Sequence, residues 1–134
     1  METAVLCSGL LGLLVFGLGF MVSMTRGKTD PGSEADSDPA ARLHKMIRAH
    51  GNAAEYAPML ALLMLIVAMG EGGVPAWAMW TMMLVTACRY LHAIGMIASS
   101  TLAQPHPLRV VGALGTYIGG VVLCVAVFMG SMGG

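Results

Sequence analysis

The chain has 134 residues, of which 57% are apolar and only 10% charged, with a formal net charge of zero. Soluble chains carry about 25% charged residues, so this composition, with a mean hydropathy of +0.77, excludes an ordinary soluble domain and points to an integral membrane protein. A neutral balance supplies neither a basic field nor an acidic tail; nucleic acid is excluded as a partner, and any ligand has to be read from local groups.

The first element is the apolar run from Thr3 to Met24. Its length of about 20 residues is enough to cross ~30 Å of hydrocarbon at ~1.5 Å per residue. Glu2 precedes the run and Arg26 and Lys28 follow it, the reverse of a cleaved secretory signal, so it reads as a first transmembrane helix over 3–24. Thr25 to Pro39 holds Lys28, Asp30, Pro31, Gly32, Ser33, Glu34, Asp36, Ser37 and Asp38 and is a solvated loop by composition. Ser37 or Asp38 is expected to cap helix two, with Pro39 at or near its first position, where a missing N–H costs nothing.

Helix two is expected over 39–69, with Arg42, His44 and Lys45 projecting from the bilayer. Pro58 lies inside it and cannot donate to the carbonyl of Ala54, so a kink is expected there. The breaker cluster Gly70-Glu71-Gly72-Gly73-Val74-Pro75 folds helices two and three into a tight antiparallel hairpin. Trp77 and Trp80 open a third span over 76–98, where interfacial tryptophans gather. Gln104-Pro105-His106-Pro107 marks the next loop, and a fourth span over 108–132 follows. The expected fold is a single-domain, all-α, integral membrane four-helix bundle.

Four spans place the first and third connections on one side. Those connections and their flanks hold Arg26, Lys28, Arg42, Lys45, Arg48 and Arg109, and the other side has no Lys or Arg. The positive-inside rule then puts both termini outside and this end in the cytoplasm. Helix four carries Gly112, Gly115, Gly119 and Gly120, and helix one Gly9, Gly12, Gly17 and Gly19; small residues let membrane helices approach closely, within or between subunits. Cys7, Cys88 and Cys124 stand singly in apolar segments and read as buried, reduced core residues. The four histidines show no paired ligand spacing, so no metal site is expected.

One stretch departs from this apolar pattern: Arg48-Ala49-His50-Gly51-Asn52-Ala53-Ala54-Glu55-Tyr56-Ala57-Pro58. At ~100° per residue, His44, Arg48, Asn52 and Glu55 fall within an arc of roughly 80°, and Tyr56 widens it to about 120°. Ionisable groups at membrane depth cost about 2.5–3.5 kcal/mol each, so they persist where they face a bundle interior, a cavity or one another. Arginine offers a rigid fork for a carboxylate, and glutamate or asparagine can hold an ammonium or amide, so this stripe suits a zwitterionic, peptide-like ligand. Arg89 or Arg109 can add a second cation and Tyr90 a hydroxyl; a cationic pocket also favours a bound thiolate. The plainer alternative is that Arg48 and Glu55 neutralise each other, directly or through Arg89. His50, on the opposite side of helix two, either faces a neighbouring subunit or is a satisfied core histidine, the role that also suits His44, His92 and His106.

The run RAHGNAAEYAP resembles the signature of the MAPEG family, the membrane-associated proteins in eicosanoid and glutathione metabolism, and in particular its small bacterial branch. The tryptophan-led third helix, Arg89-Tyr90-Leu91-His92-Ala93-Ile94-Gly95, and Arg109 to Gly112 extend the resemblance. It implies a four-helix subunit in a homotrimer, in a bacterial inner membrane, with glutathione bound between subunits near the cytoplasmic surface. Arg48, Asn52, Glu55 and Tyr56 match positions that hold the tripeptide, and His50 one that touches it in some members. Tyr90 matches a site-lining tyrosine, and Arg26 lies near a first-helix arginine that the family uses. Cysteinyl-leukotriene synthases of the family carry a second tyrosine where this chain has Ile94, and a thiolate-activating arginine where it has Ser99, Ser100 and Thr101. The resemblance therefore implies general conjugation of glutathione to hydrophobic electrophiles or peroxide reduction, with Arg109 and Tyr90 as the candidate catalytic pair and Arg48, His50, Asn52, Glu55, Tyr56, Arg26 and Arg89 as candidate binding residues. A non-catalytic lipid-binding scaffold, and a small transporter using Glu55 as a proton-coupled site, are the alternatives.

Overall fold

The computed structural model describes residues 1–30, 35, 37–70 and 72–132. It has four helices: α1 over Glu2–Arg26, α2 over Arg42–Met69, α3 over Ala76–Ala98 and α4 over Pro107–Met132. All four are long and apolar enough to cross a bilayer, and a helix suits that setting because it satisfies its own backbone where water is absent. The helical expectation for α3 is met residue for residue. α1 runs two residues past Met24, because the Gly27 amide still reaches the Ser23 carbonyl at 3.2 Å and places Arg26 in the last turn, where a cation complements the helix dipole.

The start of α2 needs a correction. Pro39 lies outside the helix, and neither Ser37 nor Asp38 is its cap; the N-cap is Ala41, with no side-chain cap bond. Asp38 instead builds a turn one step earlier, its Oδ1 accepting from the Ala40 amide at 2.9 Å and its carbonyl from the Ala41 amide at 3.0 Å. The Pro39 carbonyl accepts from the Leu102 amide at 3.0 Å, and Lys45 Nζ donates to the Ser99 carbonyl at 2.9 Å. The first and third connections thus meet at one end of the bundle. Of the residues expected to form loops, Pro31, Gly32, Ser33, Glu34, Asp36 and Glu71 lie outside the described residues.

The helices pair as two hairpins, α1 with α2 and α3 with α4, and α2 and α3 meet at the centre. Among the described residues α1 and α4 do not touch. α1 buries Ala4, Cys7, Leu11, Leu14, Leu18 and Val22 at steps of three and four residues, the spacing that keeps one helix face turned to a partner. Leu14 and Leu18 share a core layer with the small Ala49 and Ala53 of α2 and with Ala93 and Met96 of α3. Gly72 and Gly73 turn the chain into α3 with φ of 86° and 80°, left-handed values that glycine adopts without a Cβ clash. α2 stays helical on both sides of Pro58. Cys7 and Cys88 are buried as expected, but Cys124 is only half-buried, and all three are free thiols.

Between α3 and α4 the approach is backbone to backbone. A Cβ on Gly112 would stand 2.5 Å from the His92 amide nitrogen and 2.6 Å from the Cys88 carbonyl oxygen, and one on Gly119 would meet Val85 Cβ at 2.9 Å. Gly95 faces the Arg109 backbone in the same way. Gly112, Gly115 and Gly119 therefore pack against α3 inside the subunit, whereas Gly130 near the end of α4 is exposed. The glycines of helix one divide: Gly19 lies against the His50 ring, whereas a Cβ on Gly9, Gly12 or Gly17 would meet nothing beyond its own helix within 4 Å among the described residues.

Candidate functional site

α3 carries Arg89 into the centre of the bundle, where it is 1% exposed. Nη2 donates to Asn52 Oδ1 on α2, Nη1 donates to Thr116 Oγ1 on α4 at 3.4 Å, and the guanidinium lies 5.1 Å from the centre of the Tyr56 ring. Thr116 passes its own proton to the Gly112 carbonyl at 2.7 Å, which leaves its oxygen free to accept. A buried cation without partners would cost several kcal/mol; here an amide oxygen, a hydroxyl and an aromatic face share it, although Nε has no partner. No carboxylate contacts it among the described residues.

Arg89 sets the chemistry of its neighbours. A guanidinium only donates, so Asn52 accepts with its oxygen and its NH2 group remains as a donor. Tyr56 is held by the cation at its face and by Tyr117, whose ring centre lies 5.8 Å away and whose hydroxyl oxygen is 3.4 Å from its own. On the same stripe of α2, Arg48 and Glu55 are exposed, and neither forms an ion pair among the described residues. Among the described residues Arg48 and Glu55 therefore form no direct ion pair with each other or with Arg89. The result is a fixed amide donor flanked along one helix face by an open cation and an open anion.

The other expected residues are placed elsewhere in the subunit. His50 is half-buried against α1, with Nδ1 3.2 Å from the Val15 carbonyl oxygen and its ring over Gly19; within the subunit it is a satisfied packing histidine. Tyr90 also turns to α1 and donates its hydroxyl to the Leu10 carbonyl at 2.8 Å. Arg109 sits in the first turn of α4, Nη1 donating to the Leu102 carbonyl at 3.2 Å, and its own carbonyl oxygen lies 2.8 Å from His92 Nδ1. Arg26 is exposed at the end of α1. Arg89, Asn52 and Tyr56 are thus brought together with Arg48 and Glu55 beside them, and no side-chain hydrogen bond or ion pair joins this group to Tyr90, Arg109 or Arg26 among the described residues.

Thr116 and Tyr117 join the site although the motif reading passes over them. Their signal is nevertheless present, as two adjacent polar side chains in the middle of an otherwise apolar span. The cost of polar groups at membrane depth, which singles out the stripe on α2, applies to them equally.

No curated protein matches the chain. The model of the MAPEG family matches residues 4–129, nearly the full length, and with four helices able to cross a bilayer the chain is a multi-pass integral membrane protein that belongs to the MAPEG family.

Proposed function

We propose that this protein is a membrane glutathione transferase that joins glutathione, as thiolate, to hydrophobic electrophiles arriving through the bilayer. The observation that carries the reading is the placement of exposed Arg48 and Glu55, without an ion pair among the described residues, on either side of Asn52, whose orientation is fixed by the buried Arg89. An arginine and an amide donor suit a carboxylate, and a carboxylate suits an ammonium; glutathione carries both, with the reactive thiol between them. In conjugation a carbon–sulphur bond forms, the leaving group departs with its electron pair, and the thiol proton passes to water. The chain's contribution is to orient the peptide along α2 and to hold a cation beside sulphur, which lowers a thiol's pKa and raises its thiolate fraction.

Arg109 as the cation and Tyr90 as a hydroxyl donor are the groups assigned to the sulphur, from a neighbouring copy in a homotrimer, with Arg26 and His50 added to the peptide's surroundings. The same reading places the site at the cytoplasmic face of a bacterial inner membrane, with both termini outside. Glutathione-dependent peroxide reduction would use the same thiolate. A second reading is favoured by one specific feature: Arg109 and Tyr90 each spend a donor on a backbone carbonyl of their own subunit, which suits binding without turnover, as in a lipid-binding scaffold.

The deciding experiment measures glutathione affinity and conjugation of a halonitrobenzene by the detergent-purified protein. Arg48→Ala and Glu55→Gln are expected to weaken binding about 10-fold or more each, the scale of a charged hydrogen bond, while thermal stability stays within about 0.5 kcal/mol because both side chains are exposed. Tight binding without turnover selects the scaffold, and absence of binding by the unaltered protein refutes the proposal.

A further inference from the structure

Where α1 ends and α2 begins, a crevice of about 360 Å3 opens between the two helices. Its inner part is apolar: Phe20, Met21 and Met24 come from the last turns of α1, and the buried Met46 of α2 forms the floor. Its outer part is cationic, with Lys28 just past the end of α1 and Arg42 at the first position of α2. Thr25 and Thr29 also line it, but their hydroxyls donate to the carbonyls of Met21 and Thr25 at 2.8 and 2.9 Å, so an anion would be met by the two cations. Among the described residues no acidic side chain lines the crevice, and neither Lys28 nor Arg42 forms an ion pair.

The order of these groups follows the depth of a bilayer. α1 rises about 9 Å from Phe20 to Arg26, and the polar layer outside the hydrocarbon is about 5–7 Å deep on each side, so the methionines lie at acyl depth when the cations lie at headgroup depth. We infer that the crevice holds an anionic phospholipid, its phosphate between Lys28 and Arg42 and an acyl chain along Phe20, Met21 and Met24. A soluble phosphate would leave the apolar half without a role, whereas flexible methionines conform to a mobile chain. A zwitterionic headgroup would bring an ammonium to two cations with no carboxylate among the described lining residues to receive it. The crevice is separate from the stripe described above: around α2, Arg42 and Met46 point about 80–160° away from Arg48 and Asn52.

The test reconstitutes the full chain in vesicles of phosphatidylcholine with and without phosphatidylglycerol, and counts retained lipids by native mass spectrometry after extraction. Each cation near a membrane surface contributes about a 5-fold preference for anionic lipid. The protein should retain phosphatidylglycerol over phosphatidylcholine, Lys28→Gln or Arg42→Gln should each lose about 5-fold of that preference, and the double variant about 25-fold. Arg26→Gln removes the same charge from the same end but does not line the crevice, so it should retain the lipid. Thermal midpoints in phosphatidylcholine alone check that the exposed substitutions leave the fold intact. Equal loss from Arg26→Gln would show general surface attraction instead of a site, and displacement by millimolar inorganic phosphate would show a soluble-anion site. Either result, or no preference for phosphatidylglycerol in the unaltered protein, overturns the inference.

Discussion

The two helix hairpins use glycine in opposite ways. Between α3 and α4, Gly95, Gly112 and Gly119 stand where any Cβ would strike the facing helix, and for Gly95 and Gly112 the struck atoms are backbone. Between α1 and α2 the contact is made by side chains, Leu14 and Leu18 packing with Ala49 and Ala53, while Gly9, Gly12 and Gly17 look into open space. One hairpin is a seam without slack; the other has room left on its outer face. The difference matters for function because the seam carries Arg89 and Thr116 on its two sides, so its spacing sets the reach from α4 through Arg89 to Asn52.

The strongest way to break the contrast is to add a single methyl group to the seam. Gly112→Ala and Gly95→Ala should each cost about 3 kcal/mol, the upper range for overpacking, because backbone cannot swing aside as a side chain can. Thermal unfolding in detergent should show this as a clearly lowered midpoint, with weaker glutathione binding as Arg89 moves away from Asn52. An unchanged midpoint would mean that α3 and α4 separate freely and that the seam is not the rigid half.

A smaller effect is expected from removing the cation while keeping the seam. Arg89→Met fills most of the same volume with apolar atoms, so the loss of stability should be below that of the glycine variants; exchange of a buried charge for a well-packed apolar residue is often nearly neutral. Glutathione affinity should nevertheless fall about 10-fold, because the Asn52 amide loses the bond that orients it and Tyr56 loses the cation at its face. Arg89→Lys should not restore it, since one ammonium cannot replace a planar fork that serves Asn52 and Thr116 together. Wild-type affinity in Arg89→Met would show that Asn52 is oriented by something else.

The same contrast explains what could be read from residue order. The four spans follow from apolar length and breaker clusters, and α3 is bounded correctly because Pro75 before it and Ser99 after it stop the pattern sharply. The start of α2 was not legible: Pro39 has the local character of a first helical residue, but its carbonyl is taken by Leu102, a partner 63 positions away that no local pattern announces. At the site, the wheel of α2 gathers Arg48, Asn52, Glu55 and Tyr56 on one face, and the structure keeps them there. It does not say what lies opposite, so it leaves His50 between a neighbouring subunit and the core; within the subunit α1 lies beneath it. Arg89 reads as one more ligand cation because its burial depends on Thr116, whose position relative to α3 is fixed by the Gly112 contact and not by spacing in the chain.

The smallest expected effect tests the slack hairpin. Gly9→Ala and Gly12→Ala add a methyl group where nothing lies within 4 Å, and alanine is favoured over glycine in a helix by about 0.5–1 kcal/mol. In a subunit considered alone, each should therefore be neutral to slightly stabilising. The measurement is made twice, on protein diluted in detergent until it is monomeric and on protein concentrated in a bilayer, where any self-association is favoured. A gain in the first and a loss in the second would show that another subunit approaches α1 along these glycines. α1 would then be a second close-approach surface, slack only until its partner arrives, and the two hairpins would differ in when their glycines are covered instead of whether they are.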